Sequence, residues 1–174
     1  MGRKPKISRD MLLSKAEQIV NTEGPQGLTI DALARAACIS KGGVQYSFPS
    51  KDELVKAVLD RWNDQFDALI AEQDPKSPTE LVRAYIAAMR SSASTTDAKM
   101  AGLMMVYLQN PESRLETRDW YQSMLDRIGH SPQTRSERLA FLAMEGTMLM
   151  RISSFDDTAQ LEALLADIET LLDP

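Results

Sequence analysis

An all-α fold of about nine helices is predicted by three features of the 174-residue sequence. Apolar residues recur at helical spacing nearly throughout, and no segment alternates apolar and polar residues as a strand would. Short stretches rich in Gly and Pro interrupt this pattern. Hydroxyl residues precede several of the apolar runs, where helix N-caps are expected. Hydrophobic residues make up 43% of the chain and charged residues 26%, which is ordinary for a protein that buries a core.

The first three predicted helices are closely spaced. Each follows a hydroxyl residue that can cap it, in the pairs Ser8 with 9–23, Thr29 with 30–37, and Ser40 with 41–47. A turn of about three residues joins the second helix to the third, which is the geometry of a helix-turn-helix. A plain helical hairpin has the same spacing, so the spacing alone leaves both possibilities open.

Six further helices follow. Two open with capping boxes, Ser50-Lys51-Asp52-Glu53 and Ser77-Pro78-Thr79-Glu80, in which the hydroxyl and the glutamate satisfy each other's free amides. The polar run 91–97 is predicted to be a connector. The six ranges are 52–72, 78–90, 98–109, 112–128, 134–153 and 158–172. We expect two domains, 1–50 with the helix-turn-helix and 51–174 with the remaining helices.

The residue inventory argues against most enzymes. Cys38 and His130 are the single cysteine and the single histidine, which excludes an intramolecular disulfide and the usual Cys- or His-rich metal sites. No Gly-rich phosphate-binding motif is present. We therefore predict no catalytic activity, no metal site and no cofactor.

The charge is divided unevenly along the chain. Residues 1–51 hold eight Lys or Arg against four Asp or Glu, whereas the rest carries a net charge of −9. This asymmetry indicates that the first third meets a polyanion; a solvated tail beside an acidic surface is the alternative.

No membrane or export segment is expected. The longest charge-free apolar stretch, 100–108, has 9 residues, against the ~20 that a spanning helix needs. The basic N-terminus lacks the apolar region of a signal peptide. We therefore expect a cytoplasmic protein.

The first 59 residues carry the most specific pattern. Its elements are Ala16, Ile19-Val20, Glu23-Gly24, Leu28-Thr29, Leu33-Ala34, Ala37-Cys38-Ile39-Ser40, Lys41-Gly42, Tyr46, Phe48 and Ser50-Lys51-Asp52-Glu53-Leu54. With these residues the chain resembles the tetracycline-repressor (TetR) family of bacterial transcription regulators over about 9–59. Two positions depart from the family pattern: Cys38 stands where a turn glycine is usual, and Gln45 where many members carry tyrosine.

The resemblance and the residue chemistry together predict a DNA-binding surface. Lys51 is expected to contact phosphate, Gln45 can read adenine and Lys41 can read guanine. The full set is Arg3, Lys4, Lys6, Thr29, Ser40, Lys41, Gly42, Gly43, Gln45, Tyr46, Ser47 and Lys51.

Three parts of this set have a second interpretation. The paired glycines allow close approach of backbone to DNA, or they mark a frayed turn. The hydroxyl of Tyr46 contacts phosphate, or its ring packs on Phe48. The arm 2–6 enters the minor groove or contacts phosphate, or it only solubilises the terminus.

A ligand pocket is expected in the second domain because the resemblance implies a sensor domain there. Eight of the ten methionines follow residue 80, and methionine adapts to irregular ligands; a plain core is the alternative. For Glu145 a ligand hydrogen bond, an arginine partner and an exposed edge position are all open. The predicted pocket residues are Tyr85, Met104, Met105, Tyr107, Trp120, Met124, Phe141, Met144, Glu145 and Met148.

The helix at 134–153 is apolar on two faces, so one face needs a partner. The last helix can supply a second element, and two such helices per subunit give the four-helix dimer interface that the resemblance also implies. The predicted interface comprises Leu139, Leu142, Ala143, Gly146, Leu149, Met150, Leu161, Leu164, Leu165 and Ile168.

The resemblance thus implies a ligand-responsive regulator. We expect a homodimeric repressor that a small apolar effector releases from a palindromic DNA operator. The alternative is a helical protein-interaction module that keeps the scaffold without sequence-specific DNA binding.

Overall fold

The computed structural model describes residues 8–91, 95–152 and 158–173. These ranges contain nine α-helices and no strand, so the all-α prediction is confirmed. Short 3₁₀ turns at Pro25–Gly27 and Pro132–Thr134 separate α1 from α2 and α7 from α8. The helices are α1 Arg9–Glu23, α2 Ile30–Ala36, α3 Lys41–Ser47, α4 Lys51–Glu72, α5 Pro78–Ser91, α6 Thr95–Tyr107, α7 Pro111–Ile128, α8 Arg135–Ile152 and α9 Thr158–Thr170.

The predicted N-caps of the first four helices are confirmed. The hydroxyls of Ser8, Thr29, Ser40 and Ser50 each accept a hydrogen bond, at 3.0–3.1 Å, from the backbone amide three residues later. Each bond satisfies an amide that the helix itself leaves without a partner. The starts of these helices are therefore local properties of the sequence.

The sixth helix differs from its prediction at both ends. It begins at Thr95, inside the run expected to be a connector, and ends at Tyr107 rather than at 109. The first turn of α6 is therefore built from residues that the sequence placed in the connector. At its other end the chain turns tightly, because Asn110 donates its backbone N–H to the Tyr107 carbonyl at 3.1 Å and caps α7.

The buried side chains form two cores. The first comprises residues of α1, α2, α3 and the first half of α4, so it extends past residue 50. Met100 and Leu103 of α6 also belong to this first core. The second core joins the other end of α4, through Phe66 and Ile70, to α5, α7, α8 and α9. Helix α4 thus contributes to both cores, and α6 supplies a buried edge of the first.

Polar contacts fix α4 and α6 to the first helix. Arg61 of α4 binds the carboxylates of Asp10 at 2.6 Å and Glu17 at 3.1 Å. Lys99 of α6 donates to the backbone carbonyl of Asn21. Further along α6, a Cβ at Gly102 would lie 3.2 Å from Cγ of Pro25. This is a tight contact, so glycine lets α6 approach Pro25 without displacing the proline ring. The N-terminal unit, α1–α3, is therefore held directly by α4 and α6, which belong to the larger unit formed by α4–α9.

Within the described ranges, no helix is both long and apolar enough to cross a lipid bilayer.

Candidate functional site

Helices α2 and α3 are joined by a tight turn. The amide of Cys38 donates to the Arg35 carbonyl at 3.1 Å and that of Ile39 to the Ala34 carbonyl at 3.0 Å. Cys38 has φ +54°, a left-handed conformation that costs a residue with a Cβ ~1–2 kcal/mol. The departure from glycine at this position therefore leaves the helix-turn-helix geometry intact.

The third helix presents one face to solvent. Val44 and Phe48 are fully buried in the first core, whereas Lys41 and Gln45 are exposed. Tyr46 is 93% exposed, which makes its proposed packing on Phe48 wrong. The guanidinium of Arg9, which the sequence interpretation did not single out, lies over the Phe48 ring at 5.0 Å. The outward face of α3 is thus free to meet a large partner.

The remaining predicted DNA-binding residues lie around this face. Gly42, Gly43 and Ser40 are exposed, and Thr29, Ser47 and Lys51 are half-buried. Lys41 pairs with Asp31 at 3.1 Å, and both side chains are more than half exposed. Such a surface pair is worth under ~1 kcal/mol, so DNA can displace it. Arg3, Lys4 and Lys6 lie outside the described residues.

The paired glycines are not required by packing. A Cβ at Gly42 would meet only the Ser40 hydroxyl, at 3.9 Å, and one at Gly43 would approach Ile39 Cδ1 at an ordinary 3.4 Å. Both glycines belong to a capped, regular helix, which contradicts a frayed turn. Packing within the chain therefore gives no reason for two glycines in one short helix.

A cavity of about 350 Å³ lies between α4, α5, α6, α7 and α8. Its walls are mainly aromatic rings and methionines, with three carboxylates and no base among the described lining residues. The lining residues are Leu59, Asp60, Trp62, Asn63, Phe66, Tyr85, Met89, Ala101, Met104, Met105, Tyr107, Leu108, Glu116, Thr117, Trp120, Tyr121, Glu145, Met148 and Leu149.

Most of the predicted pocket residues lie in this wall. Tyr85, Met104, Met105, Tyr107, Trp120, Glu145 and Met148 line the cavity. Met124, Phe141 and Met144 do not, because they are buried in the second core behind it, and their prediction is corrected. The sequence did not predict Trp62 and Phe66 of α4 as cavity residues, because their spacing fits a core stripe as well as a cavity wall.

Two tyrosines hold the carboxylate of Glu145 in the cavity wall. Tyr85 of α5 donates to one oxygen and Tyr121 of α7 donates to the other at 2.5 Å. Burial, followed by the nearby Glu145 charge, raises the pKa of each tyrosine above its ordinary value. Both phenols therefore stay protonated and act as donors. This contact corrects the exposed-edge interpretation of Glu145.

A polar cluster at another part of the wall connects three helices. Lys56 of α4 binds the Glu116 carboxylate of α7 at 2.5 Å and the Tyr107 hydroxyl of α6 at 3.3 Å. The hydrogen bond from Lys56 lowers the pKa of the Glu116 carboxyl group. The same hydrogen bond raises the pKa of the Lys56 ammonium group. Asp60 lies 3.6 Å from the same ammonium group. One lysine thus contacts two of the three carboxylates in the wall, and its single charge leaves one negative charge in this cluster.

The two faces of α8 are separated as the sequence indicates. Leu139, Leu142, Leu149 and Met150 are exposed, whereas Phe141 and Met144 are fully buried. Gly146 is exposed with open space above it, and Ala143 is half-buried. The helix therefore presents an apolar outer face.

The interface prediction for α9 needs correction. Leu161, Leu165 and Ile168 are buried in the chain's own second core, so they have no surface to offer a partner. Leu164 is half-buried, whereas Leu171, which the prediction omitted, is 41% exposed.

A helix-turn-helix with an exposed second helix, joined to a helical unit with an internal cavity, defines the class of ligand-binding DNA-binding regulators. Comparison with known proteins agrees. Residues 12–58 match the family described as bacterial regulatory proteins, tetR family, and residues 79–173 match the tetracyclin repressor-like C-terminal domain. The chain belongs to the TetR family of transcriptional regulators.

Individual relatives agree with this assignment. A 76-residue stretch is 36% identical to an uncharacterized HTH-type transcriptional regulator in the dhlA 5′ region of Xanthobacter autotrophicus and covers 44% of this chain and 38% of that protein. The multidrug binding protein EbrR complexed with malachite green superposes with a TM-score of 0.71 at 20% identity, covering 97% of this chain and 99% of EbrR. A transcriptional regulator from Rhodococcus has a TM-score of 0.71 at 18% identity, covering 95% and 94%. These structures share the fold.

Substitution Gly42→Ala tests why the glycines are present. We expect the melting temperature to stay the same or rise, because alanine favours a helix by ~1 kcal/mol and the added Cβ has room. We expect affinity for operator DNA to fall, because the Cβ separates the backbone from the duplex. Calorimetric melting and fluorescence anisotropy measure the two effects. A melting temperature that falls together with DNA affinity would show that the glycine serves folding instead.

Proposed function

We propose that this TetR-family regulator acts as a homodimeric repressor, and that a small molecule bound in the cavity releases it from a palindromic operator. The exposed face of α3 is the observation that carries this proposal. A tyrosine left 93% exposed on a short helix anchored by buried Val44 and Phe48 suits insertion into a groove. The acidic remainder of the chain favours contact with DNA through the N-terminal unit alone.

Helix α6 belongs to both the cavity wall and the first core, and this supports ligand control of DNA binding. Helix α6 contributes Met104 and Tyr107 to the cavity wall and Met100 and Leu103 to the first core. A ligand that binds one arrangement of α6 better than another shifts the orientation of the N-terminal unit. We expect a coupling of ~1–3 kcal/mol between ligand and operator. EbrR, which shares the fold, forms complexes with malachite green and with ethidium, and this favours an aromatic small molecule as the effector.

The outer face of α8 supports the homodimer. Four large apolar side chains are exposed along one helix, and a monomer rarely exposes such a contiguous patch without a partner. Gly146 lies in its middle, where a second helix can approach closely. A palindrome requires the two α3 helices of a dimer to lie on one side with half-sites ~34–36 Å apart, and we propose that a two-fold dimer formed through α8 meets this requirement.

A helical interaction module without DNA binding is the second candidate. Gln45, which stands where many members of the family carry tyrosine, is the observation that favours it. Binding to a palindromic duplex with a steep dependence on salt concentration would decide for the regulator.

Two variants separate the proposed base contact from the proposed phosphate contact. Lys51→Ala should weaken binding to operator and unrelated duplex alike and reduce the salt dependence by about one phosphate contact. Gln45→Ala should weaken operator binding by ~1–3 kcal/mol while leaving unrelated DNA unaffected. Anisotropy titrations over a salt series, with a palindrome selected by the protein from random duplexes, measure both. If the two variants behave identically, the assigned roles are wrong.

Leu142→Arg tests the dimer face. Leu142 is 55% exposed on α8, and a charge there should convert the protein to a monomer without unfolding it. Leu115 is 51% exposed on α7, so Leu115→Arg is a matched control that should remain dimeric. Analytical ultracentrifugation gives the mass of each variant. A dimer that survives Leu142→Arg would exclude this face.

A further inference from the structure

The carboxylate of Glu145 has acceptor capacity that the described residues leave unused. Its two oxygens accept one hydrogen bond each, from Tyr85 and Tyr121, whereas a carboxylate offers about four lone-pair positions. In the part of the chain that the structure describes, no ion pair joins Glu145 to a lysine, arginine or histidine. The tyrosines share the negative charge but cannot cancel it.

The other two carboxylates of the cavity are in a different situation. Lys56 lies 2.5 Å from Glu116 and 3.6 Å from Asp60, so these two carboxylates share one ammonium group. None of the described lining residues is basic. Glu145 is therefore the carboxylate of the described wall that has no basic side chain within ion-pair distance. It faces a low-polarity space, where an unneutralised charge is unfavourable.

Aromatic rings extend from both sides of this carboxylate. The Tyr85 ring meets Phe66 edge-on at 5.2 Å, and Phe66 is stacked on Trp62 at 6.0 Å. On the other side the Tyr121 ring meets Trp120 at 5.0 Å. Ring faces attract cations, and this attraction strengthens where water is excluded. The methionines of the wall adapt their shape to a flat molecule.

We propose that the cavity selects a flat aromatic molecule that carries one delocalised positive charge, with Glu145 as its counter-ion. The inference rests on the proposed function, since it names the class of effector for the same cavity. A volume of about 350 Å³ suits about three fused rings, because ligand cavities of ~300–1,000 Å³ enclose most of a small molecule. The sequence predicts a small apolar effector, and the neutral probe acridine represents that class in the experiment.

N-methylacridinium and acridine form a matched pair of probes at pH 8, since they share the same rings and differ by one positive charge. We expect the full-length protein to bind N-methylacridinium at least ten-fold more tightly than acridine in fluorescence titrations. Glu145→Gln keeps an acceptor for the tyrosines but removes the charge, and should reduce this preference to within about two-fold. Asp64→Asn, on the exposed side of α4, changes the net charge equally and should keep the ten-fold preference.

Three results would overturn the inference: equal affinities of the unaltered protein for both probes, absence of binding by N-methylacridinium, or a preference that survives Glu145→Gln. The first two need no variant, so a folding defect in Glu145→Gln cannot obscure the answer. Release of operator DNA is measured separately by anisotropy. A cation that binds selectively through Glu145 without releasing DNA would contradict the proposed function and support this inference. Equal binding and equal DNA release by both probes would contradict this inference and support the proposed function.

Discussion

The burial of α6 in the core of the N-terminal unit is the contact on which the rest of the structure depends. Met100 and Leu103 fill that core, Gly102 lets the backbone approach Pro25, and Lys99 binds the end of α1. The same helix forms part of the cavity wall. Well-packed cores resist gradual deformation, so we propose that a ligand displacing α6 moves the N-terminal unit as one body.

The polar contacts of the cavity complement this arrangement. Lys56 connects α4, α6 and α7 at one part of the wall, and Glu145 connects α5, α7 and α8 at another. A ligand beside either cluster contacts groups that already join several helices. We propose that such clusters convert occupancy into helix displacement, because a ligand that alters their hydrogen bonds binds the two arrangements with different affinity.

The predictions that succeeded depend on local chemistry. Serine and threonine caps fix helix starts through bonds three residues apart, and the spacing of Val44 and Phe48 fixes the inward face of α3. The predictions that failed concern which distant part of the molecule a side chain packs against. The apolar stripe of α9 is suited to the chain's own core as well as to a second copy, so the sequence could not show that Leu165 packs inward. Similarly, no spacing rule joins Glu145 to tyrosines 60 and 24 residues away.

We propose that a ligand bound in the cavity changes the distance between the two α3 helices of a dimer. The native Cys38 is exposed beside α3, so a nitroxide attached there reports this separation without any substitution. Double electron–electron resonance should give one distance between the two labels of a dimer, and a cavity ligand that raises the melting temperature should shift it. An unchanged distance in the ligand-saturated protein, or no dipolar signal at all, would contradict the account.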